Sequence, residues 1–561
     1  MAYKPIHDLI DGAIQMDEQT ATELAISNIL HDGLTDVFEQ PFEVAFLNDS
    51  SFREAVAKNV VRALKAHSIE GLEVGPIQHC LHPKSRRVYD FRRCALIQPI
   101  DAIKYLALVI MCAEKLERAR VPVEQKIIYS YRFQHEPTGR IWSAAFNFET
   151  FRQHTLVLQQ SEGVRVVVQC DIANFYDRIN LHRLESTLIS VGIEPWITKC
   201  LNFLLLGWAH RDSYGLPVGS NPSRILAEAA LLEVDRYLLA NGVRFCRFVD
   251  DYRFFAPDAT TAQSWLCKFL GRLALEGLSL NAGKTRVREA HAPEDEISPG
   301  MPAPVIGEKK VFVPRMGYGR VPRRFRDLKE EEIARLRSEV SLDELYREIE
   351  ERAVVEGERF ELFVRTLVAQ EAFGMMAKIP GIVRRCPPYI DYIVSLFGKC
   401  ADAIPEETRR SVSQDLGELL ISLELPEWYS AQIASLLSRP QFQNQQVIRT
   451  CLQNLRRDSG YYIGRILFDG LATFAVRADQ YELRNLFDHA DPWEKRAILR
   501  IMCKILAEEE LKAWHRYVTP FIKNDIFALQ ITQPFEKRKK RDERDGSGEV
   551  PPSGATKTDN S

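Results

Sequence analysis

Apolar and polar positions repeat with different periods in different parts of the chain. Near the start, SFREAVAKNVVRALKAH returns to apolar residues every three or four positions, which predicts a helix. The same period runs through ELFVRTLVAQEAFGMMAKI, YIDYIVSLFGKCADAI, SQDLGELLISLEL, QVIRTCLQNL and KRAILRIMCKIL in the second half. Prolines at Pro380, Pro387, Pro388, Pro405, Pro426, Pro440 and Pro492 punctuate that half. Amphipathic helices with short breaks predict stacked helix pairs, as in an α-solenoid, although no fixed sequence period runs through them. The middle of the chain reads otherwise. The β-branched run Val166, Val167, Val168 predicts a buried strand, and VRFCRFVDDYRFFA predicts two aromatic-rich strands. Four blocks follow from this pattern: an N-terminal helical segment over 1–70, a mixed α+β region over 71–330, a helical-repeat-like domain over 331–535 and a tail over 536–561. The tail is rich in charge, Gly, Ser and Pro and predicts disorder.

Composition narrows the picture a little. With 561 residues, 45% hydrophobic and 27% charged, the chain predicts two or three soluble globular domains. The 74 basic and 77 acidic residues leave a net charge of −3, which excludes a histone-like protein but allows a local basic surface. None of the 11 cysteines forms a C-x-x-C pair, so the expectation is reduced thiols in the cytoplasm. MAYKPIHDLIDG carries no signal-peptide pattern, and no apolar run reaches the roughly 18 residues of a membrane span.

The chemistry concentrates in the mixed region. Asp171 ends the strand begun at Val166, a place where a buried strand would normally avoid charge, and Asn180 is set to cap the helix after it. About 80 residues later, Asp250 and Asp251 fall between two apolar strands at hairpin spacing. Two adjacent like charges make a poor tight turn unless a cation joins them. If the two strands are neighbours, the carboxylates face one another and offer the hard oxygens that suit Mg2+. A pair of such ions can activate a 3′-hydroxyl and stabilise departing pyrophosphate. Between the acids, Gly215, Pro217 and Gly219 make an irregular loop, with Asn221 as N-cap and Pro222 as first residue of a helix that ends at Asn241-Gly242. Lys284, in LSLNAGKTRV, is placed to neutralise or protonate a leaving phosphate.

In order and spacing, these segments resemble the motifs of reverse transcriptases: DIANFYD motif A, GLPVGSNPSRILAE motif B, FVDD motif C and LSLNAGKT motif D. The resemblance covers roughly residues 70–330. It is strongest to the prokaryotic abortive-infection and "unknown-group" enzymes of antiphage defence, because Ser223-Arg224-Ile225 stands where Ser-Pro is usual and a long helical segment replaces a compact thumb. The resemblance implies a right-hand fingers and palm fold and an RNA-directed DNA polymerase that uses two Mg2+ ions, or Mn2+. Some members of the class work without a template or start from a protein hydroxyl. The implied metal ligands are Asp171, Ile172, Asp250 and Asp251, with Lys284 catalytic. Tyr176 falls at the steric gate that rejects a 2′-hydroxyl. Arg92, Arg93 and Lys84, with Arg86 and Arg87 as further candidates, would grip the incoming triphosphate, and Gly219 and Ser223 would line its site. Basic and aromatic residues after motif D (Lys309, Phe312, Arg315, Tyr318, Arg320, Arg323, Arg324) suit a nucleic-acid strand.

The implied partners are deoxynucleoside triphosphates, an RNA template or DNA product, a non-coding RNA or partner protein, and a second copy of the chain, without a membrane. Two other readings compete. One is a mobile-element or housekeeping reverse transcriptase, weakened by the lack of a recognisable maturase or endonuclease segment. The other is a scaffold acting through its helical half, which has no need to hold three acids together.

Overall fold

The computed structural model describes residues 16–84, 91–209, 213–291, 324–422, 425–454 and 462–532. They form two compact units, the first ending at Leu467 and the second beginning at Phe468. Two helices open the first unit: α1 (Glu18–Asp32), whose N-cap Asp17 accepts from the Thr20 amide, and α2 (Ser50–Lys65), capped in the same way by Asp49. Both pack on α3 (Pro99–Ala119), which is buried nearly all round and is therefore a core helix rather than an amphipathic one.

Two sheets carry the chemistry. A hairpin pairs β1 (Gln78–Pro83) with β2 (Phe91–Leu96). A four-stranded antiparallel sheet has the order β4-β5-β3-β6, from β3 (Val166–Asp171), β4 (Phe245–Phe248), β5 (Asp251–Ala256) and β6 (Arg286–Glu289). The helix Ala259–Leu275 covers β3 and β5, with the Phe269 ring 4.5 Å from Tyr252 and 5.4 Å from Phe254.

Three local expectations shift. The hairpin turn is Val249-Asp250 rather than Asp250-Asp251, because Phe248 pairs with Asp251 and the ladder continues to Asp171. The helix after the glycine loop begins at Asn221 itself with Ser220 as N-cap, since the Asn221 amide is spent on Asn28 and Asp32, each at 2.9 Å. That helix (α4, Asn221–Ala230) also breaks at Leu231 before a second, Leu232–Ala240. Asn180 caps its helix as expected, accepting from the His182 and Arg183 amides.

From Glu330 onward the described secondary structure is helical, and within the first unit Gly357–Ala369 packs on Glu330–Glu339 and Leu342–Glu350, and Glu406–Ile421 on Glu427–Leu437. Pro405 and Pro426 stand as N-caps and Pro492 opens a helix, so these prolines mark boundaries as the pattern predicts. The helix α5 (Glu427–Leu437) lies on the β1–β2 hairpin, where Trp428 meets His82 of β1 at 4.3 Å and Tyr429 meets Phe91 of β2 at 6.1 Å. The second unit buries Phe487, Trp493, Trp514 and Phe527 among its own helices. Among the described residues no helix is long and apolar enough to cross a membrane.

Candidate active site

The three acids meet at one end of the large sheet. Asp171 on β3 and Asp251 on β5 are cross-strand partners, and the Ile172 amide donates to the Asp250 carbonyl at 3.1 Å. Asp250 is 1% exposed at the turn. Burial first, and the charge of Asp171 next, push its carboxyl well above the usual carboxylate range. An added cation is what would let this group ionise. The preceding Val249 has φ +55°, a left-handed backbone that costs a side-chain-bearing residue about 1–2 kcal/mol and persists only where neighbours over-determine it. Among the described residues, no group of three or more His, Cys, Asp and Glu side chains converges as a ready-made metal cage. The donors fit Mg2+ instead, which takes one or two carboxylates and completes its shell with water and phosphate oxygens. Ile172 is buried and apolar, so only its main-chain carbonyl can contribute.

Lys284 joins this group. Its Nζ donates to Asp171 Oδ2 at 3.1 Å, and its side chain is 52% exposed. The segment before it is stitched to the end of β3: Asn281 N donates to the Asp171 carbonyl at 2.7 Å and Ala173 N to Ser279 at 2.8 Å. Arg253 Nη2 lies 4.0 Å from Asp251 Oδ2.

Tyr176 follows Asn174, which takes φ +47° and turns the chain sharply after β3. The Tyr176 ring is buried, its hydroxyl pushed up by that burial and by the neighbouring Tyr131. Arg224 lies over the Tyr131 ring at 5.2 Å and pairs with Asp36.

The basic candidates fall near the same turn. Lys84 Nζ donates to Asn174 Oδ1 at 3.1 Å. Arg92 sits on β2 opposite His82, and its charge partly offsets the burial that raises the Asp250 and Asp177 carboxyls. Arg93 lines a cavity of about 530 Å3 with His79, Asn174, Asp177, Arg178 and Tyr214. Gly219 and Ser223 are tied elsewhere. Gly219 has φ +118°, and a Cβ there would meet Thr35 Oγ1 at 2.9 Å. Ser223 is buried with its hydroxyl 3.1 Å from Tyr105 and 3.3 Å from Ser220. Arg86, Arg87, Lys309, Phe312, Arg315, Tyr318, Arg320 and Arg323 lie outside the described residues; Arg324 is exposed.

Sequence reasoning missed a set of buried charges behind the hairpin: Arg120, Arg247, Glu228 and Asp235. The signal was a charge inside an apolar run, Arg247 in RFCRFV and Glu228 in RILAEAALL.

Residues 125–305 match the family model described as reverse transcriptase (RNA-dependent DNA polymerase). Among solved structures, apo telomerase from Candida tropicalis is similar at 12% identity and a TM-score of 0.28, covering 73% of this chain and 69% of that one. Telomerase from Candida albicans with a TWJ fragment of telomeric RNA is similar at 11% identity and a TM-score of 0.29, covering 73% of this chain and 64% of that one. Likenesses this loose carry no part of the assignment. No curated protein matches the chain. The matched segment holds all three acids, Tyr176 and Lys284 on an α+β fingers and palm framework followed by a helical region, and it is a reverse transcriptase domain, the nucleotidyltransferase part of an RNA-directed DNA polymerase.

Proposed function

We propose that this polymerase adds deoxynucleotides to a 3′-hydroxyl with two divalent ions, Mg2+ or Mn2+, and that it works in the cytoplasm in antiphage defence. The observation that carries the chemistry is the register of Asp171 against Asp251, with Asp250 buried at the adjoining turn. Asp171, Asp250, Asp251 and the Ile172 carbonyl hold the ions. When bound, these ions supply Lewis-acid activation of the hydroxyl and charge neutralisation at the leaving pyrophosphate. Lys284, already on Asp171, is within reach to hand a proton to that leaving group. Arg92, Arg93 and Lys84 receive the triphosphate, arginine suiting it because its planar fork matches two oxygens. The Tyr176 ring shapes the sugar site and rejects a 2′-hydroxyl; Gly219 and Ser223 act from behind, setting the loop that faces it.

Incorporation of labelled deoxynucleotide by the purified full chain tests this reading. It should require Mg2+ or Mn2+ and disappear in Asp250→Ala/Asp251→Ala; undiminished incorporation by that variant removes the assignment. The defence role rests on the resemblance of Ser223-Arg224-Ile225 and the helical region to the defence-associated enzymes. Cells carrying the wild-type chain should resist phage and cells carrying the double variant should not. Equal plaque counts would leave a polymerase with another task. Sequencing of co-purifying nucleic acid tests the partners: a defined RNA marks a templated enzyme, and protein-linked DNA marks a self-primed one.

A further inference from the structure

We propose that Glu228 is a positioning residue that sets the Val249-Asp250 turn and Tyr131 together, acting through Arg247 and Arg120. This rests on Asp250 being a metal ligand, as proposed above.

The geometry starts from two strained residues. Val249 has φ +55° and Tyr131 φ +44°, both in the left-handed region that side chains disfavour. Val249 leads directly into Asp250. The Tyr131 ring lies 6.1 Å from Phe248 at the end of β4, and Tyr131 is close enough to feel the charge of Asp250. Each strained residue has its carbonyl held by a buried arginine. Arg247 Nη1 donates to the Val249 carbonyl at 3.2 Å, and Arg120 Nη1 to the Tyr131 carbonyl at 2.8 Å.

One carboxylate joins the two arginines. Glu228 Oε2 lies 2.7 Å from Arg120 Nη2 and 2.8 Å from Arg247 Nη1, and Glu228 Oε1 accepts from Ser130 Oγ at 2.5 Å. The far sides are closed as well. Asp235 takes Arg247 Nη2 at 2.7 Å, and Glu117 takes Arg120 and Arg132 at 2.8 Å each. Its centre lies out of water: the side chains of Arg247, Glu228 and Arg120 are 0%, 2% and 3% exposed. Apolar side chains of like volume would stabilise a core at least as well. Directional donors aimed at two strained carbonyls do what apolar packing cannot, which is to fix where the next residue points. Glu228 sits on α4, two turns from its start, so the helix after the glycine loop is coupled to the hairpin.

The test uses the purified full chain and two readouts, Mn2+ binding followed by electron paramagnetic resonance and steady-state deoxynucleotide incorporation. Glu228→Gln keeps the shape and removes the charge. It should weaken Mn2+ binding by about 10- to 100-fold, the range for residues that orient metal ligands, and raise the nucleotide KM. Arg247→Lys keeps the charge and loses the fork, so it preserves folding better; it should reproduce the Mn2+ defect and leave the nucleotide KM near wild type. Arg120→Lys should do the reverse. Wild-type Mn2+ binding in folded Glu228→Gln or Arg247→Lys overturns the proposal. Wild-type KM in Arg120→Lys overturns its Tyr131 arm. Asp250→Asn separates the two levels: if it leaves Mn2+ binding intact, the metal-site reading itself falls, whatever Glu228 does.

Discussion

Two groups of charged side chains gather about the hairpin between β4 and β5. Behind it, Arg120, Arg132 and Arg247 meet Glu117, Glu228 and Asp235, three cations against three anions, most at 2.7–2.8 Å. At its tip, Asp171, Asp250 and Asp251 gather, with Lys284 3.1 Å from Asp171 and Arg253 4.0 Å from Asp251. Both touch the same hairpin, yet they answer desolvation differently. The first neutralises itself with ions of its own. In the second, burial first and the charge of Asp171 next raise the Asp250 carboxyl well above the usual carboxylate range. A charge-balanced cluster fixes geometry, and an acid-rich one beside it is left to respond to what arrives from outside.

The contrast breaks first at the tip. Asp250→Ala with Asp251→Ala should abolish incorporation while the thermal midpoint in chelator stays at or above wild type, because the substitutions remove repulsion and a desolvated acid. A midpoint well below wild type would mean that these acids hold the fold. Behind the hairpin the sign reverses. Arg247→Ala strands Asp235 and Glu228 and should cost about 3–5 kcal/mol in denaturant unfolding; a loss under 1 kcal/mol would show that the cluster does not act together.

A third buried acid sharpens the comparison because, among the described residues, its hydrogen bond is to a neutral ring rather than to a cation. Asp391 is 5% exposed in the helical region and accepts from Trp428 Nε1 at 2.8 Å. Burial pushes its carboxyl up to about 7. With the folded value above the ordinary 3.8, its contribution to stability is complete below that value and is lost as pH rises through about 7. The wild-type thermal midpoint should therefore fall between pH 5 and pH 8. Asp391→Asn keeps the Trp428 bond and should flatten that fall; an equal fall in both proteins would place the titrating group elsewhere. The smallest expected effect is at Tyr176, where Tyr176→Val should raise ribonucleotide use several-fold at little cost to deoxynucleotide incorporation. Unchanged discrimination would move the gate to another side chain.

What the sequence disclosed follows from how local each feature is. The Val166–Val168 run, the Asn180 cap and the boundary prolines declare themselves within a few residues, and the structure places them accordingly. The acids stood out because a charge at the end of an apolar strand is costly without a purpose. The turn was read one residue late because register is decided by β3, about 80 residues upstream, and nothing inside VDD records it. Glu228 was passed over because its partners Arg120 and Ser130 lie roughly a hundred residues away, and Arg247 because Asp235 and Glu228 sit on separate helices before it; periodicity carries no trace of either pairing. The inner arginine of RFCRFV and the lone glutamate of RILAEAALL were visible all the same, and each implies a buried counter-ion.

The pairing of Asp171 with Asp251 sets a rule for length as well as for identity. Side chains alternate faces along a strand, so one residue inserted within β3 or β5 would swing its acid to the far side of the sheet. Two inserted residues would restore the face but move the acid about 7 Å along the strand. Neither strand can therefore lengthen by itself. Additions that spare the carboxylates belong in the loops, or must enter both strands at matching positions.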